Sequence, residues 1–292
     1  MSCLASIGCD LALGTSWLHL LCSLIDYEDT SRGWLMRVTS ILALLLAAAS
    51  AQAASYQKTD GTIVAPIQIS PLAGGDHGYA GNNLEPGGNL VGADLHDALL
   101  VDADLAGADL TGAILTDTWM AAADLSNAIL LGANLDSADI MGATADNANF
   151  RGAELRLVHA PESSFREADF TGASLGSLDG RDADFYGAML AHVTMDMAGL
   201  NGANLSQACL TCANITMANF RGANLWQADF VNAYYYEPFR PEGDVDWDAM
   251  GVLRMTWPDV PEVCRVATVP EGRSMWLAIP ALSCALLRRR RR

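Results

Sequence analysis

From Leu90 to Tyr235 the chain repeats itself every five residues without an insertion or a deletion. Large apolar residues stand at Leu90, Leu95, Leu100, Leu105, Leu110 and Leu115, and the series runs on through Phe220, Leu225, Phe230 and Tyr235, thirty consecutive pentapeptides in one register. Two residues before each centre sits a small residue, usually alanine, as in Ala93, Ala98, Ala103, Ala108 and Ala113. A period of five matches neither the 3.6 residues of a helical turn nor the two of a strand, so no single flat element buries every fifth side chain. The chain must turn a corner in each repeat. Fixed periods of this kind belong to stacked architectures, in which each unit buries its apolar face against its neighbours.

The unit reads A(D/N)LXX, as in Gly-Ala-Asn-Leu-Ser at 202 to 206 and Gly-Ala-Asn-Leu-Trp at 222 to 226, and it resembles the pentapeptide-repeat family. The resemblance implies an all-β fold, a right-handed quadrilateral β-helix in which one pentapeptide forms one side and four form a coil. Thirty sides then make about seven and a half coils, a rod of roughly 35 Å at strand spacing. Stacking by four repeats puts Leu105, Leu125, Phe165, Phe185, Leu205 and Leu225 in one core column and Phe150 and Phe170 in a second. Leu95, Leu115, Leu135 and Phe220 complete the expected repeat core. In the column that holds Ala160 and Gly180 the centres shrink, while Val158 and Leu178, two residues earlier, grow. This swap predicts a local irregularity at that side.

The ends carry addresses. Met36-Arg37, an apolar run from Val38 to Ala49, and Ala51-Gln52-Ala53 have the parts of a secretory signal peptide over residues 36–53. Ala51 and Ala53 are the expected processing residues, with cleavage after Ala53. Residues 1–35 are then a misassigned upstream segment, with Met36 as the start. At the other end Val269-Pro270-Glu271-Gly272, an apolar segment and five arginines over residues 269–292 resemble the PEP-CTERM sorting signal, with Gly272 where that family has a second proline. The resemblance implies processing by an exosortase-like enzyme after signal peptidase. It also implies transient membrane association through the tail and delivery to the cell surface, outer envelope or extracellular matrix. The arginine cluster, held on the cytoplasmic side, orients the tail with its amino-terminal side outside.

Between these signals lie an N-terminal linker and cap (54–89), the repeat β-helix (90–235) and an aromatic C-terminal cap (236–268). The first cap predicts a strand over Gly61–Ile67, and the second a short helix near Asp246 to Met255. An open coil end exposes apolar core and unpaired strand groups, so both ends need cover.

The chain has 34 acidic residues against 17 Lys and Arg, a net charge of -17, and five of its arginines are the last five residues. Such a field opposes nucleic-acid phosphates. Cys209 and Cys212 spell C-x-x-C, but on one extended side they stand about 10 Å apart, too far for a disulfide. They form no compact metal set, and no disulfide framework is expected. Acid pairs such as Asp102 with Asp104 and Asp182 with Asp184 suit corners, where Asp and Asn bond nearby backbone. Stacked carboxylates such as Asp104 over Asp124 leave weak Ca²⁺ binding open. His96, His159 and His192 fall on different sides or coils, no nucleophile motif occurs, and neither catalytic activity nor a cofactor is expected.

Two functions remain. One is an exported, surface-sorted acidic rod, structural or interacting, with protein or polysaccharide partners of the envelope or exterior. The other, implied by the family resemblance, is a DNA-mimicking protein that binds a type II topoisomerase, which requires a cytoplasmic location.

Overall fold

The computed structural model describes residues 54–69, 75–237, 239–243, 247, 248, 250–256 and 264. The expected upstream segment, the signal peptide with Ala51 and Ala53, and the sorting tail with Val269, Pro270 and Glu271 lie outside the described residues.

The residue before each apolar centre pairs in parallel with the residue four repeats further on. Asn89 pairs with Asp109, Asp94 with Ile114, Leu99 with Trp119 and Asp104 with Asp124, and the series continues to Asn214 with Tyr234. Four sides therefore close one coil, and successive coils are bonded as parallel strands. The amide of each centre donates to the next coil, as Leu95 does to the Ile114 carbonyl at 2.8 Å, and the amide before it donates to the previous coil, as Ile114 does to Ala93 at 2.8 Å. Two residues past the centre, the Asp97 amide also reaches the next coil, at the Thr116 carbonyl (2.9 Å), and one residue later Ala98 closes a turn onto Leu95 at 3.0 Å.

Only the amide directly after the centre is left over, and the Asp or Asn directly before the centre takes it. Asp109 Oδ1 accepts from the Thr111 amide at 3.0 Å, Asp124 from Ser126 at 2.8 Å, Asn134 from Asp136 at 3.0 Å and Asp169 from Thr171 at 2.9 Å. The recurrent Asp and Asn thus complete the backbone's hydrogen bonding. Where Glu154 and Ser164 hold that position, a carboxylate on the previous coil substitutes: Asp136 accepts from the Arg156 amide at 2.8 Å and Asp146 from Arg166 at 3.0 Å.

The corner itself is a left-handed residue. Every fifth residue from Gly87 to Asn232 has φ between 56° and 74°. Gly112 fills the position without strain, whereas Asp117, Leu157 and Gln227 hold the same angle with a β-carbon, at about 1 to 2 kcal/mol each. The interstrand bonds on either side of each corner outweigh that cost. The carbonyl of this left-handed residue takes no part in the ladder. At Asp102 the N-terminal cap uses it, through the Thr59 amide at 2.8 Å.

The centres and the alanines two before them fill the coil interior. Leu95, Leu105, Leu115, Leu125, Leu135, Phe150 and Leu205 are fully buried, Phe165, Phe170, Phe185 and Phe220 nearly so, and Leu225 is partly buried. Phenylalanines stack one coil apart, Phe150 on Phe170 with ring centroids 4.6 Å apart and Phe165 on Phe185 at 4.9 Å. At the Ala160 and Gly180 side the expected irregularity is absent from the backbone. Asp139, His159, Asp179 and Gly199 bridge in sequence, and the Ala160 and Gly180 amides keep their ladder bonds at 2.8 Å. Buried Val158 and Leu178 restore the missing volume, and a β-carbon on Gly180 would come within 3.1 Å of Leu200. The swap conserves volume, so side chains absorb it.

Both caps pair with the coil. Strand β1 (Tyr56–Gln57) pairs antiparallel with β2 (Ile63–Val64), and β3 (Gln68–Ile69) pairs antiparallel with β4 (Ala98–Leu99) on the first coil. The single strand expected over Gly61–Ile67 is thus divided, because Pro66 has no amide to give a ladder. At the far end β5 (Tyr234–Tyr236) pairs in parallel with β6 (Leu253–Met255), and Asn219 bridges Glu242. The helix expected near Asp246 to Met255 is corrected here: Leu253–Met255 is a strand. The last coil offers unpaired ladder groups, and the Leu253 amide meets the Ala233 carbonyl at 2.7 Å, which decides over local helix propensity. Trp247, 1% exposed, packs on Phe220 and Phe230 at 5.2 and 5.7 Å and covers the core.

Candidate functional site

With the interior filled, chemistry is confined to what the sides and corners carry outward. The two halves of the repeat differ. No Lys or Arg occurs between Lys58 and Arg151, a stretch that includes Asp94, Asp97, Asp102, Asp109, Asp117 and Asp124. From Arg151 onward the walls carry ion pairs between coils, Arg151 to Asp169 at 3.2 Å and Arg166 to Asp184 at 2.8 Å. Within one coil Arg181 grips Asp179 at 2.8 Å, and its hydrogen bonds hold that carboxyl below the usual carboxylate range. His159 lies between Asp139 and Asp179, at 3.3 and 3.6 Å.

Three of the four acids in the pairs singled out in the sequence are occupied by structural bonds. Asp102 faces Lys58 at 3.3 Å, and Asp104 accepts from the Ala106 amide at 3.3 Å. Asp184 accepts from the Tyr186 amide, the Asn204 side-chain amide and Arg166. Among the described residues no group of three or more His, Cys, Asp or Glu is arranged to hold a metal ion.

The N-terminal cap and first coil enclose a cleft of about 410 Å³ lined by Ile69, His77, Tyr79, Asp94, His96 and Asp97. His77 Nδ1 accepts from the Tyr79 amide at 3.0 Å, so Nε2 carries the proton that meets the His96 carbonyl at 2.8 Å. His96 Nδ1 stands 2.7 Å from Asp94, a bond that raises the imidazole pKa and lowers the carboxyl's. His192 lies on another coil, where burial pushes its imidazole down. The three histidines are not brought together.

The cysteines depart most from expectation. Cys212 forms a disulfide with Cys264, Cα to Cα 5.4 Å across a sequence separation of 52, where no disulfide was expected. Cys212 occupies a left-handed corner (φ 59°), and Cys264 is buried where the two meet. Nothing in the local spacing of Cys209 and Cys212 signals a partner so far along the chain. The recurrent glycines at 92, 107, 112, 132 and 142 are a signal that does locate the left-handed corners.

A family model described as pentapeptide repeats matches residues 87–117, 120–156, 163–196 and 198–234. Comparison with curated protein sequences finds no match. Among solved structures the chain is similar to trypsin-treated QnrB1, a plasmid-mediated fluoroquinolone resistance protein, at 21% identity over 57% of this chain and 79% of that one, with a TM-score of 0.39. It is similar to HetL of Nostoc sp. strain PCC 7120, a pentapeptide repeat protein involved in heterocyst differentiation regulation, at 25% identity over 49% and 81%, TM-score 0.29. It is also similar to a pentapeptide repeat protein of the Arabidopsis thaliana thylakoid lumen, at 32% identity over 42% of this chain and 68% of that one, TM-score 0.27.

Proposed function

Because the chain belongs to the pentapeptide-repeat family, we propose that it is a non-catalytic interaction rod of about seven and a half right-handed quadrilateral coils, exported and retained at the cell surface or outer envelope. In this reading residues 36–53 direct export, 54–89 and 236–268 cap the 90–235 rod, and 269–292 form a tail that an exosortase-like enzyme processes. The observation that carries it is the Cys212–Cys264 disulfide. Disulfides persist in oxidising compartments and are rare where glutathione keeps thiols reduced, so the bond fits the side of the membrane to which the terminal segments point. The rod acts by presenting its walls to protein or polysaccharide partners.

A second reading, a cytoplasmic DNA mimic that binds a type II topoisomerase, draws on the acidic stretch between Lys58 and Arg151. Fractionating the native host and measuring intact mass in each fraction separates the two. A surface or secreted species that begins near Ala54 and lacks the arginine tail is the expected result. Full-length reduced protein in the cytoplasm overturns export and makes topoisomerase inhibition the next assay.

A further inference from the structure

One side of the rod carries a rail of hydrogen-bonded polar side chains along its lower half. Asn224 Nδ2 donates to Asn204 Oδ1 at 3.1 Å, Asn204 Nδ2 donates to Asp184 Oδ1 at 2.8 Å, and Arg166 closes the series on Asp184 Oδ2 at 2.8 Å. Each Asn amide uses one of its two N–H donors in this rail and keeps the other. At the adjoining corner, two residues past Asp184 and Asn224, stand Tyr186 and Trp226. They hold equivalent positions two coils apart, a separation of about 9.6 Å at strand spacing. Trp226 is 62% exposed. Tyr186 is half-buried, with the Arg166 guanidinium over one face of its ring, 4.9 Å from the centroid.

We propose that this wall binds an uncharged, extended polysaccharide lying along the rod axis, with Tyr186 and Trp226 as stacking platforms and Asn204 and Asn224 as hydrogen-bonding partners for its hydroxyls. The inference rests on the reading of the chain as a surface rod and names the partner of one wall. A pyranose ring has an apolar C–H face and a rim of hydroxyls. An aromatic ring with a polar tip or edge matches the face, and the remaining Nδ2 donor of each Asn matches the oxygens of the rim. The rise of two coils, about 9.6 Å, is close to one disaccharide unit of an extended β-1,4 chain, so alternate units of the polymer keep step with the two positions. Charge selects among polymers: Arg166 neutralises Asp184 locally, while the net charge of -17 repels polyanions. An apolar protein groove is a poorer fit, because the wall beside the rings is the amide rail, with the buried Ser206 hydroxyl bonded into it at Asn204 Oδ1.

The test is calorimetric titration of the purified full chain with cellohexaose and N-acetylchitohexaose, with the matching disaccharides and heparin as comparisons. At least one hexasaccharide is expected to bind, and its disaccharide to bind about tenfold more weakly, because only the longer chain engages both rings. Trp226→Ala and Tyr186→Ala are each expected to weaken the hexasaccharide about tenfold, and Trp226→Phe to retain most of the affinity. Met141→Ala, on another corner, should change nothing. Should Trp226→Ala fail to fold by circular dichroism, Asn224→Leu decides, again with a loss of about tenfold expected. Absence of heat with both hexasaccharides overturns the proposal, as does unchanged affinity in these variants or preference for heparin. Titration of purified protein is independent of where the cell sends it, so a failed titration leaves the export reading standing, and a cytoplasmic protein that binds the glycan fails export alone.

Discussion

Removing the Cys212–Cys264 bond, by replacing both residues with serine, should loosen the C-terminal cap while leaving the middle of the rod untouched. The bond closes a segment with a sequence separation of 52. In the chain-entropy description a loop of that size loses about 14 cal/mol/K in the unfolded ensemble, or about 4 kcal/mol at 25 °C. In a stack of repeats each coil contacts only its neighbours, so the loss falls on the opening of the last coil and its cap. Two amides report it: Leu253, which donates to the Ala233 carbonyl, and Glu237, which donates to Met255. Hydrogen exchange read by mass spectrometry should show their protection falling by about two to three orders of magnitude, the equivalent of about 3 to 4 kcal/mol at 1.4 kcal/mol per decade. The Leu130 amide, bonded to the Asn149 carbonyl in mid-rod, should keep its protection. Equal protection of Leu253 and Glu237 in the native and double-serine proteins would refute the reasoning, and a uniform loss along all coils would refute the locality.

At the corners, Gly112→Ala should cost about 1 kcal/mol from the left-handed φ alone, since an added β-carbon meets nothing within 4 Å; denaturant unfolding with no change reports a relaxed corner instead. Asp109→Ala should cost about 1 to 2 kcal/mol by stranding the Thr111 amide, and Asp109→Asn should restore most of it. Phe170→Ala should cost about 3 to 5 kcal/mol, because its ring contacts Phe150, Phe165 and Phe185. His192 has its pKa depressed below 6.5 by burial. Its neutral form therefore supports folding in full above 6.5, and that support declines as pH falls from 6.5 through the lower folded value. His192→Gln should flatten that part of a pH–stability curve, and an unchanged curve refutes the assignment.

How legible the molecule is in its sequence varies from link to link. The centres were readable because a period of five leaves one way to bury every fifth side chain, and the Asp and Asn before them because one amide per repeat needs a local acceptor. Left-handed Leu157 and Gln227 were not readable: their residue types disfavour that angle, and the ladder on either side imposes it. The strand at Leu253–Met255 escaped for a similar reason, since the demand of the Tyr234–Tyr236 edge lies about twenty residues away and outweighs local propensity. Cys264 carries no local hint of Cys212. The candidate walls are the least legible part, because Arg166, Tyr186 and Asn204 become neighbours only once the coil is wound.

The hydrogen bonding of the backbone governs how such a rod meets anything else. Four of the five amides in each repeat are bonded within the winding, and where Asp or Asn precedes the centre it takes the fifth as well, so those repeats offer a visitor mainly carbonyl oxygens at the corners. Strand invasion from the side, the usual route by which sheets recruit or aggregate, finds few main-chain donors in those repeats. Recognition is left to side chains displayed on a fixed lattice, and any change in length that keeps that lattice in step must come in whole turns.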